Sequence, residues 1–312
     1  MSDTVISFDQ FPSYLVDQLN SKFDFRYNVD KSDLAALEAL APHARAFIAK
    51  GETIFTGEMM ARLPKLELVS VYGVGYDGID VAAARARGIA VTHTPGVLTD
   101  DVADLAIALM LAVSRRLIPA DRHVRTQAWA KGPLPLNNKV SGARLGMVGL
   151  GRVGQAIAKR AQAFDMNIAY TERAQQAGSP YAFYPTLEAL AREVDFLIVA
   201  AFGGPTTRGL IDRKVLDALG PDGYLINVAR GSVIDEPALV AALQEKRIAG
   251  AGLDVFVNEP HVPAALFAMD NVVLTPHIAS GTVQTRKAMA DLACANLAAH
   301  FAGKPLLTPV QE

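Results

Sequence analysis

The stretch Ala143-Arg-Leu-Gly-Met-Val-Gly-Leu-Gly-Arg-Val-Gly-Gln-Ala-Ile-Ala-Lys159 constrains this chain most, because Gly149, Gly151 and Gly154 stand between a strand-like run and a helix-like run. A strand that turns on glycine into a helix lets the backbone approach a pyrophosphate, which then sits on the unpaired N–H groups at the helix N-terminus. That context marks a dinucleotide site. Spacing alone does not, since Gly73, Gly75 and Gly78 also satisfy G-x-G-x-x-G. After Gly154, the pattern Ala156, Ile157, Arg160, Ala161 and Phe164 gives an apolar helical face, and Met166-Asn-Ile-Ala-Tyr170 reads as the next strand. The adenosine ribose is read at the end of that strand, roughly 20 residues past the glycines. Thr171, Glu172 and Arg173 fall there. The earlier glycine cluster leads into a short helix from Val81 to Arg87, stopped by Gly88, and then a brief strand Ile89 to Thr92, without the long helix of a nucleotide-binding unit.

A length of 312 residues favours two domains, and an apolar content of 51% is enough for each to bury its own core. A net charge of −2 with no Lys/Arg block argues against a nucleic-acid surface, while leaving room for a local cationic pocket and an anionic small molecule. The N-terminus Met1-Ser-Asp-Thr-Val-Ile carries no basic region or long apolar core. The longest apolar run nearby, Leu105 to Val113, is far below the roughly 18 residues of a membrane span. A soluble, cytoplasmic protein with no membrane partner is expected. The single cysteine, Cys294, excludes an intrachain disulfide and, in an Ala/Leu-rich helical stretch, reads as a buried structural thiol.

Strand-like runs near Val5 to Phe8, Phe23 to Tyr27, Ala46 to Ala49 and Leu66 to Val71 alternate with helix-like segments, the rhythm of a parallel sheet. A long amphipathic helix is expected from Leu98 to Leu117, with Thr99 as N-cap and Asp100, Asp101 and Asp104 where the helix dipole favours acids. A second series of strands follows at Arg144 to Val148, Asn167 to Tyr170, Asp195 to Ala200, Gly223 to Val228, Ala249 to Val255 and Asn271 to Thr275. The predicted class is α/β with doubly wound parallel sheets, in which functional groups belong at the carboxyl ends of strands. Three groups fit. Arg230, Glu259 and His277 each lie just beyond a buried-type strand. A guanidinium fork suits a carboxylate or a polarised carbonyl, an imidazole exchanges a proton near neutral pH, and a neighbouring carboxylate favours its protonated form. Together they suit reduction of a 2-keto acid.

The runs Asn227-Val-Ala-Arg-Gly-Ser-Val-Ile-Asp235, Gly252-Leu-Asp-Val-Phe-Val-Asn-Glu-Pro260, Thr275-Pro-His-Ile-Ala-Ser280 and Val71-Tyr-Gly-Val-Gly-Tyr-Asp77, with the Gly149 turn, resemble the D-2-hydroxyacid dehydrogenase family over nearly the whole chain, especially its glyoxylate/hydroxypyruvate reductase branch. The resemblance implies that Arg230 binds the substrate's carboxylate and carbonyl, that His277 is the acid/base, and that Glu259 orients His277 and raises its pKa. Val74 and Gly75 would offer backbone N–H groups to the substrate carboxylate, and Asp254 would touch the nicotinamide carboxamide. The other implied cofactor residues are Gly149, Gly151, Arg152, Val153, Gly154, Thr171, Arg173 and Val228.

The implied layout is a larger Rossmann dinucleotide-binding domain, 98–283, inserted in a smaller substrate domain, 1–97, which the C-terminal helix of 284–312 completes. A homodimer built partly by the Leu98 to Leu117 region is implied as well. Trp129 either reaches the partner's substrate pocket or serves as an interface or core aromatic. His43, His93, His123, His261 and His300 lack strand-end placement and motif and read as structural or surface. No metal site is expected, since neither H-x-x-x-H nor C-x-x-C occurs.

An NAD-type site places a carboxylate on the ribose 2′-OH, whereas an NADP-type site supplies a cation for the 2′-phosphate. Thr171 stands where NAD-dependent relatives carry Asp, and Arg173 where NADP-dependent relatives carry their phosphate-binding Arg, which favours NADPH over NADH. Glu172 opposes that preference by like charge. The expected function is NAD(P)H-dependent reduction of a small 2-keto acid, glyoxylate or hydroxypyruvate, to the (R)-2-hydroxy acid. Alternatives are a dehydrogenase of a larger sugar-acid or aryl-pyruvate substrate, or a dinucleotide-sensing, corepressor-like protein. The absence of a low-complexity tail weighs against the last.

Overall fold

In the Thr99–Gly281 part of the chain, seven short apolar runs line up as one parallel sheet: β6 (Arg144–Val148), β7 (Asn167–Thr171), β8 (Ala182–Phe183), β9 (Phe196–Val199), β10 (Tyr224–Asn227), β11 (Gly250–Leu253) and β12 (Val272–Leu274). Their order is β12-β11-β10-β9-β6-β7-β8. Strands β9, β10 and β11 are buried along their whole length, as a sheet covered by helices on both faces requires. The chain enters this sheet at β6, winds outward to β8, and returns to β9 on the other side of β6, so the winding reverses between β6 and β9. A crevice forms at the carboxyl ends of strands at such a point. The structure, a computed structural model, describes residues 3–30 and 32–311.

The second compact unit comprises Met1–Leu98 and Thr282–Glu312. Its sheet holds β1 (Thr4–Ile6), β2 (Asp24–Arg26), β3 (Ala44–Lys50), β4 (Leu68–Tyr72) and β5 (Ala90–Thr92), all parallel, in the order β2-β1-β3-β4-β5. Phe47 and Phe55 stack in the core with centroids 4.0 Å apart. The C-terminal helix Val283–Phe301 belongs to this unit: the Ser70 hydroxyl donates to Ala293 O at 3.5 Å, Tyr72 OH to Arg286 O at 3.1 Å, and His300 Nε2 lies 2.9 Å from Glu67 Oε2. The Thr282 side chain caps the helix by accepting from Thr285 N. Cys294 is fully buried in it, and burial pushes its thiol up to about 11.

Two local expectations need correction. The helix expected from Leu98 to Leu117 spans Thr99–Ser114, so Thr99 is its first residue rather than its cap. Pro119 has no N–H, and its ring would meet the carbonyl of Arg115 if the helix continued. The chain instead turns through Arg116 in the left-handed region, at φ 49°, and starts a new helix, Leu117–Arg125. Strand β8 was not expected; two residues carry no periodic signal. Among the described residues no helix is long and apolar enough to cross a membrane.

Candidate functional site

The glycine turn Gly149–Gly154 follows β6, at the point where the sheet reverses its winding. Gly149 has φ +92°, and a Cβ there would lie 3.1 Å from Ala200 O and from Ala201 N. A Cβ on Gly154 would lie 2.2 Å from Gly149 O, so glycine is what lets the helix Arg152–Gln162 start against the turn. Around Gly151 there is open space, and no side chain caps the helix it begins. A close backbone turn, an open centre and uncapped helix N–H groups fit the pyrophosphate of a dinucleotide. The rival cluster differs. A Cβ on Gly78 would lie 2.4 Å from Thr53 O, so that glycine serves packing against a neighbouring loop.

At the end of β7, Thr171 is buried and its carbonyl accepts from Gly149 N at 3.1 Å. Glu172 folds back on the glycine turn: Oε1 accepts from Leu150 N, and Oε2 accepts from Gln176 Nε2 at 2.8 Å. Gln176 also donates to Leu150 O at 3.1 Å. Arg173 is exposed and makes no hydrogen bond or ion pair among the described residues. Val228 is buried just past β10, and Arg152 and Val153 form the first turn of the glycine-turn helix.

Three adjacent strands present the acid, base and cation. Arg230 lies beyond β10, Asp254 and Glu259 beyond β11, and His277 beyond β12. His277 Nδ1 donates to Glu259 Oε2 at 2.7 Å, and the other Glu259 oxygen accepts from Phe256 N at 2.9 Å. Burial pushes the Glu259 carboxyl up. The hydrogen bond and charge of His277, the Phe256 N–H and the Arg230 charge outweigh it, leaving the group below the usual carboxylate range. His277 sits at φ 52°, a conformation fixed by its N–H bond to Asp254 O at 2.8 Å.

Asp254 is completely buried, and its carboxylate accepts from Thr275 Oγ1 at 2.7 Å and from the backbone N–H groups of Ile278 and Ala279, both at 2.9 Å. Burial raises its pKa against the pull of those donors and of His277. Asp254 therefore builds the turn that displays His277, a role not evident from the sequence. Asn227, also fully buried, shapes the Arg230 turn by donating to Arg230 O and accepting from Ala229 N, both at 3.0 Å.

Gly231 lets that turn pass against the Glu259 loop, because a Cβ there would fall 1.9 Å from the Phe256 carbonyl carbon. Gly231→Ala should therefore destabilise the protein by about 1–3 kcal/mol through backbone overpacking and lower turnover about tenfold or more by shifting Arg230. Thermal melts and steady-state kinetics test this. An unchanged variant would mean that the two turns separate freely.

In the other unit, Val74 and Gly75 lie in the loop after β4. His93 Nδ1–H donates to Val74 O at 2.9 Å, and Thr94 N donates to Gly73 O at 2.8 Å. His93 is held in turn by Thr308, whose hydroxyl donates to His93 O at 2.6 Å and accepts from Asn296 Nδ2 at 2.8 Å. Sequence reasoning had set His93 aside; its only signal there was its place beside Thr94 and Pro95 just after a strand. Trp129 lies on the 3-10 turn Ala128–Lys131 and is 67% exposed. Among the described residues no group of three or more His, Cys, Asp or Glu is placed to hold a metal ion.

Comparison with known proteins adds the family. Residues 107–279 match the model described as "D-isomer specific 2-hydroxyacid dehydrogenase, NAD binding domain". The chain is 50% identical to a hydroxyphenylpyruvate reductase of Plectranthus scutellarioides and 48% identical to glyoxylate/hydroxypyruvate reductase A of Arabidopsis thaliana, each alignment covering 96% of both proteins. Its fold resembles an NADPH-dependent glyoxylate/hydroxypyruvate reductase of Sinorhizobium meliloti, solved with NADP and malonate. The TM-score is 0.94 at 43% identity, over 99% of this chain and 97% of that one.

Proposed function

This chain belongs to the D-2-hydroxyacid dehydrogenase family, and from that premise we propose that it reduces glyoxylate or hydroxypyruvate to the (R)-2-hydroxy acid, with NADPH preferred to NADH. It is an NAD(P)-dependent oxidoreductase of CH–OH donors with a Rossmann nucleotide-binding domain. The observation that carries the reading is the 2.7 Å His277–Glu259 pair beside Arg230 on three adjacent strand ends, in the same sheet as the glycine turn.

The reduced nicotinamide, when bound, supplies a hydride to the carbonyl carbon. Protonated His277 donates its Nε2 proton to the carbonyl oxygen, so keto acid, hydride and proton balance to the hydroxy acid. Glu259 keeps Nδ1–H engaged, which orients the ring and stabilises the imidazolium before transfer. Arg230 holds the carboxylate and the carbonyl and stabilises the negative charge that develops on oxygen. In the other unit, His93 steadies the loop that holds Val74 and Gly75. For the cofactor, Gly149, Gly151, Arg152, Val153 and Gly154 would cradle the pyrophosphate, and Arg173 would pair with the 2′-phosphate. That pairing is supported by the exposure of Arg173 and by its lack of partners among the described residues, while Glu172 is occupied by Leu150 and Gln176. The exposed apolar side chains Leu117, Ile118, Val124 and Trp129 support a homodimer, which sedimentation reads directly.

Steady-state assays of glyoxylate, hydroxypyruvate, hydroxyphenylpyruvate and 2-ketogluconate, each with NADPH and with NADH, test the assignment. The highest kcat/KM is expected for one of the two small acids with NADPH. The 50% identity to a hydroxyphenylpyruvate reductase favours an aryl pyruvate as the second reading, and preferential turnover of that acid would establish it.

A further inference from the structure

We propose that Gln176 is a specificity-determining residue for the nicotinamide cofactor, acting as a latch that keeps the Glu172 carboxylate on the glycine turn and away from the adenosine 2′ position. The inference rests on the proposed pairing of Arg173 with the 2′-phosphate and explains how that pairing tolerates an acid one residue away.

A free carboxylate beside Arg173 has two ways to undermine a phosphate site: it repels the phosphate directly, and it competes for the guanidinium. The observed arrangement holds the Glu172 carboxylate on other partners. Arg173 and Glu172 are consecutive yet form no ion pair with each other, because both oxygens of Glu172 are bonded elsewhere. One oxygen is on Leu150 N–H, between the first two glycines of the turn, and the other is on the Gln176 amide. The amide is bound at more than one point. Its Nε2 donates both to Glu172 Oε2 at 2.8 Å and to Leu150 O at 3.1 Å, and its backbone N–H donates to Tyr170 OH at 2.8 Å. Tyr170 is itself fully buried. The latch is thus tied to the core through Tyr170 and to the glycine turn through Leu150.

A primary amide suits this place because one nitrogen carries two donors, one for the carboxylate and one for the carbonyl. Leucine at 176 would supply neither. Glu172 would then keep a single backbone donor, and its carboxylate would be free to reach the adenosine ribose. There it repels the 2′-phosphate of NADPH but accepts a hydrogen bond from the 2′-OH of NADH, as the acid of an NAD-type site does.

The test measures cofactor binding, not turnover. NADPH and NADH are titrated separately into the intact protein and the dissociation constants read from nicotinamide fluorescence. Gln176→Leu should weaken NADPH by about tenfold, the loss expected when a charge-assisted contact is compromised, and leave NADH equal or tighter. Glu172→Gln added to Gln176→Leu removes the freed charge and should restore most of the NADPH affinity. Thermal melts confirm folding, and Gln176→Glu, which repels Glu172 outright, serves as a second variant expected to shift the preference in the same direction. Equal weakening of both nucleotides by Gln176→Leu, with no recovery in the double variant, would show that Gln176 only braces the glycine turn and would overturn the proposal. Arg173→Ala in the same titration separates the two claims. A selective loss of NADPH there, with no change of preference in Gln176→Leu, overturns the latch alone, whereas equal loss of NADPH and NADH in Arg173→Ala overturns the phosphate pairing.

Discussion

Replacing His277 should lower turnover of the keto acid by about two to four orders of magnitude, the range for removal of a positioned general acid, while nicotinamide affinity stays near that of the parent. The choice of replacement matters. His277 occupies the left-handed region at φ 52°, where an ordinary side chain costs about 1–2 kcal/mol, so His277→Ala mixes lost chemistry with backbone strain. Asparagine tolerates that conformation and cannot deliver a proton to the carbonyl oxygen. His277→Asn should therefore lose about as much turnover as His277→Ala while melting closer to the parent. Its effect isolates the acid from the turn that Asp254 holds through the N–H groups of Ile278 and Ala279. A folded His277→Asn protein with near-parental turnover would remove His277 from the chemistry.

The sheets were legible because their strands are buried on both faces and so appear as continuous apolar runs, and because one glycine turn sits between such a run and an amphipathic helix. The positions of Arg230, Glu259 and His277 were legible for the same reason: each follows an apolar run, beyond the carboxyl end of a strand. What binds these groups to each other was not. The Glu259–His277 bond joins residues 18 apart, and the Glu172–Leu150 bond joins residues 22 apart. Such pairs depend on strand order and side-chain rotamers, which periodicity does not encode. Asp254 illustrates the limit from the other side. Its place beside a strand end was visible, but its three donors come from Thr275, Ile278 and Ala279 on the following strand's turn. The break between Ser114 and Leu117 was visible in principle through Pro119, whose geometric veto acts four residues upstream and is masked by the apolar Leu117 and Ile118.

Arg230→Lys should cost about two to three orders of magnitude in kcat/KM, comparable with removing a donor aimed at a developing oxyanion, even though the positive charge is kept. The argument is geometric. The Arg230 backbone is fixed by Asn227, which donates to its carbonyl at 3.0 Å, and one arm of its guanidinium donates to Ala229 O at 2.8 Å. Its position is therefore set before substrate arrives, and a planar fork so placed can hold a carboxylate and a carbonyl at once. Lysine offers one compact, rotatable ammonium on a flexible stem, so it can neutralise the carboxylate or polarise the carbonyl but does not hold both in register. Loss should therefore appear in kcat as well as KM, because charge on the carbonyl oxygen grows only as hydride and proton arrive. Binding of NADPH and NADH should change little, since the glycine turn follows β6 while Arg230 follows β10, two strands away in the sheet order. Steady-state kinetics with glyoxylate, paired with fluorescence titration of both nucleotides, distinguish the outcomes. A rise in KM alone would make Arg230 a simple counter-charge for the carboxylate, and kinetics indistinguishable from the parent would make it a surface cation with no part in the reaction.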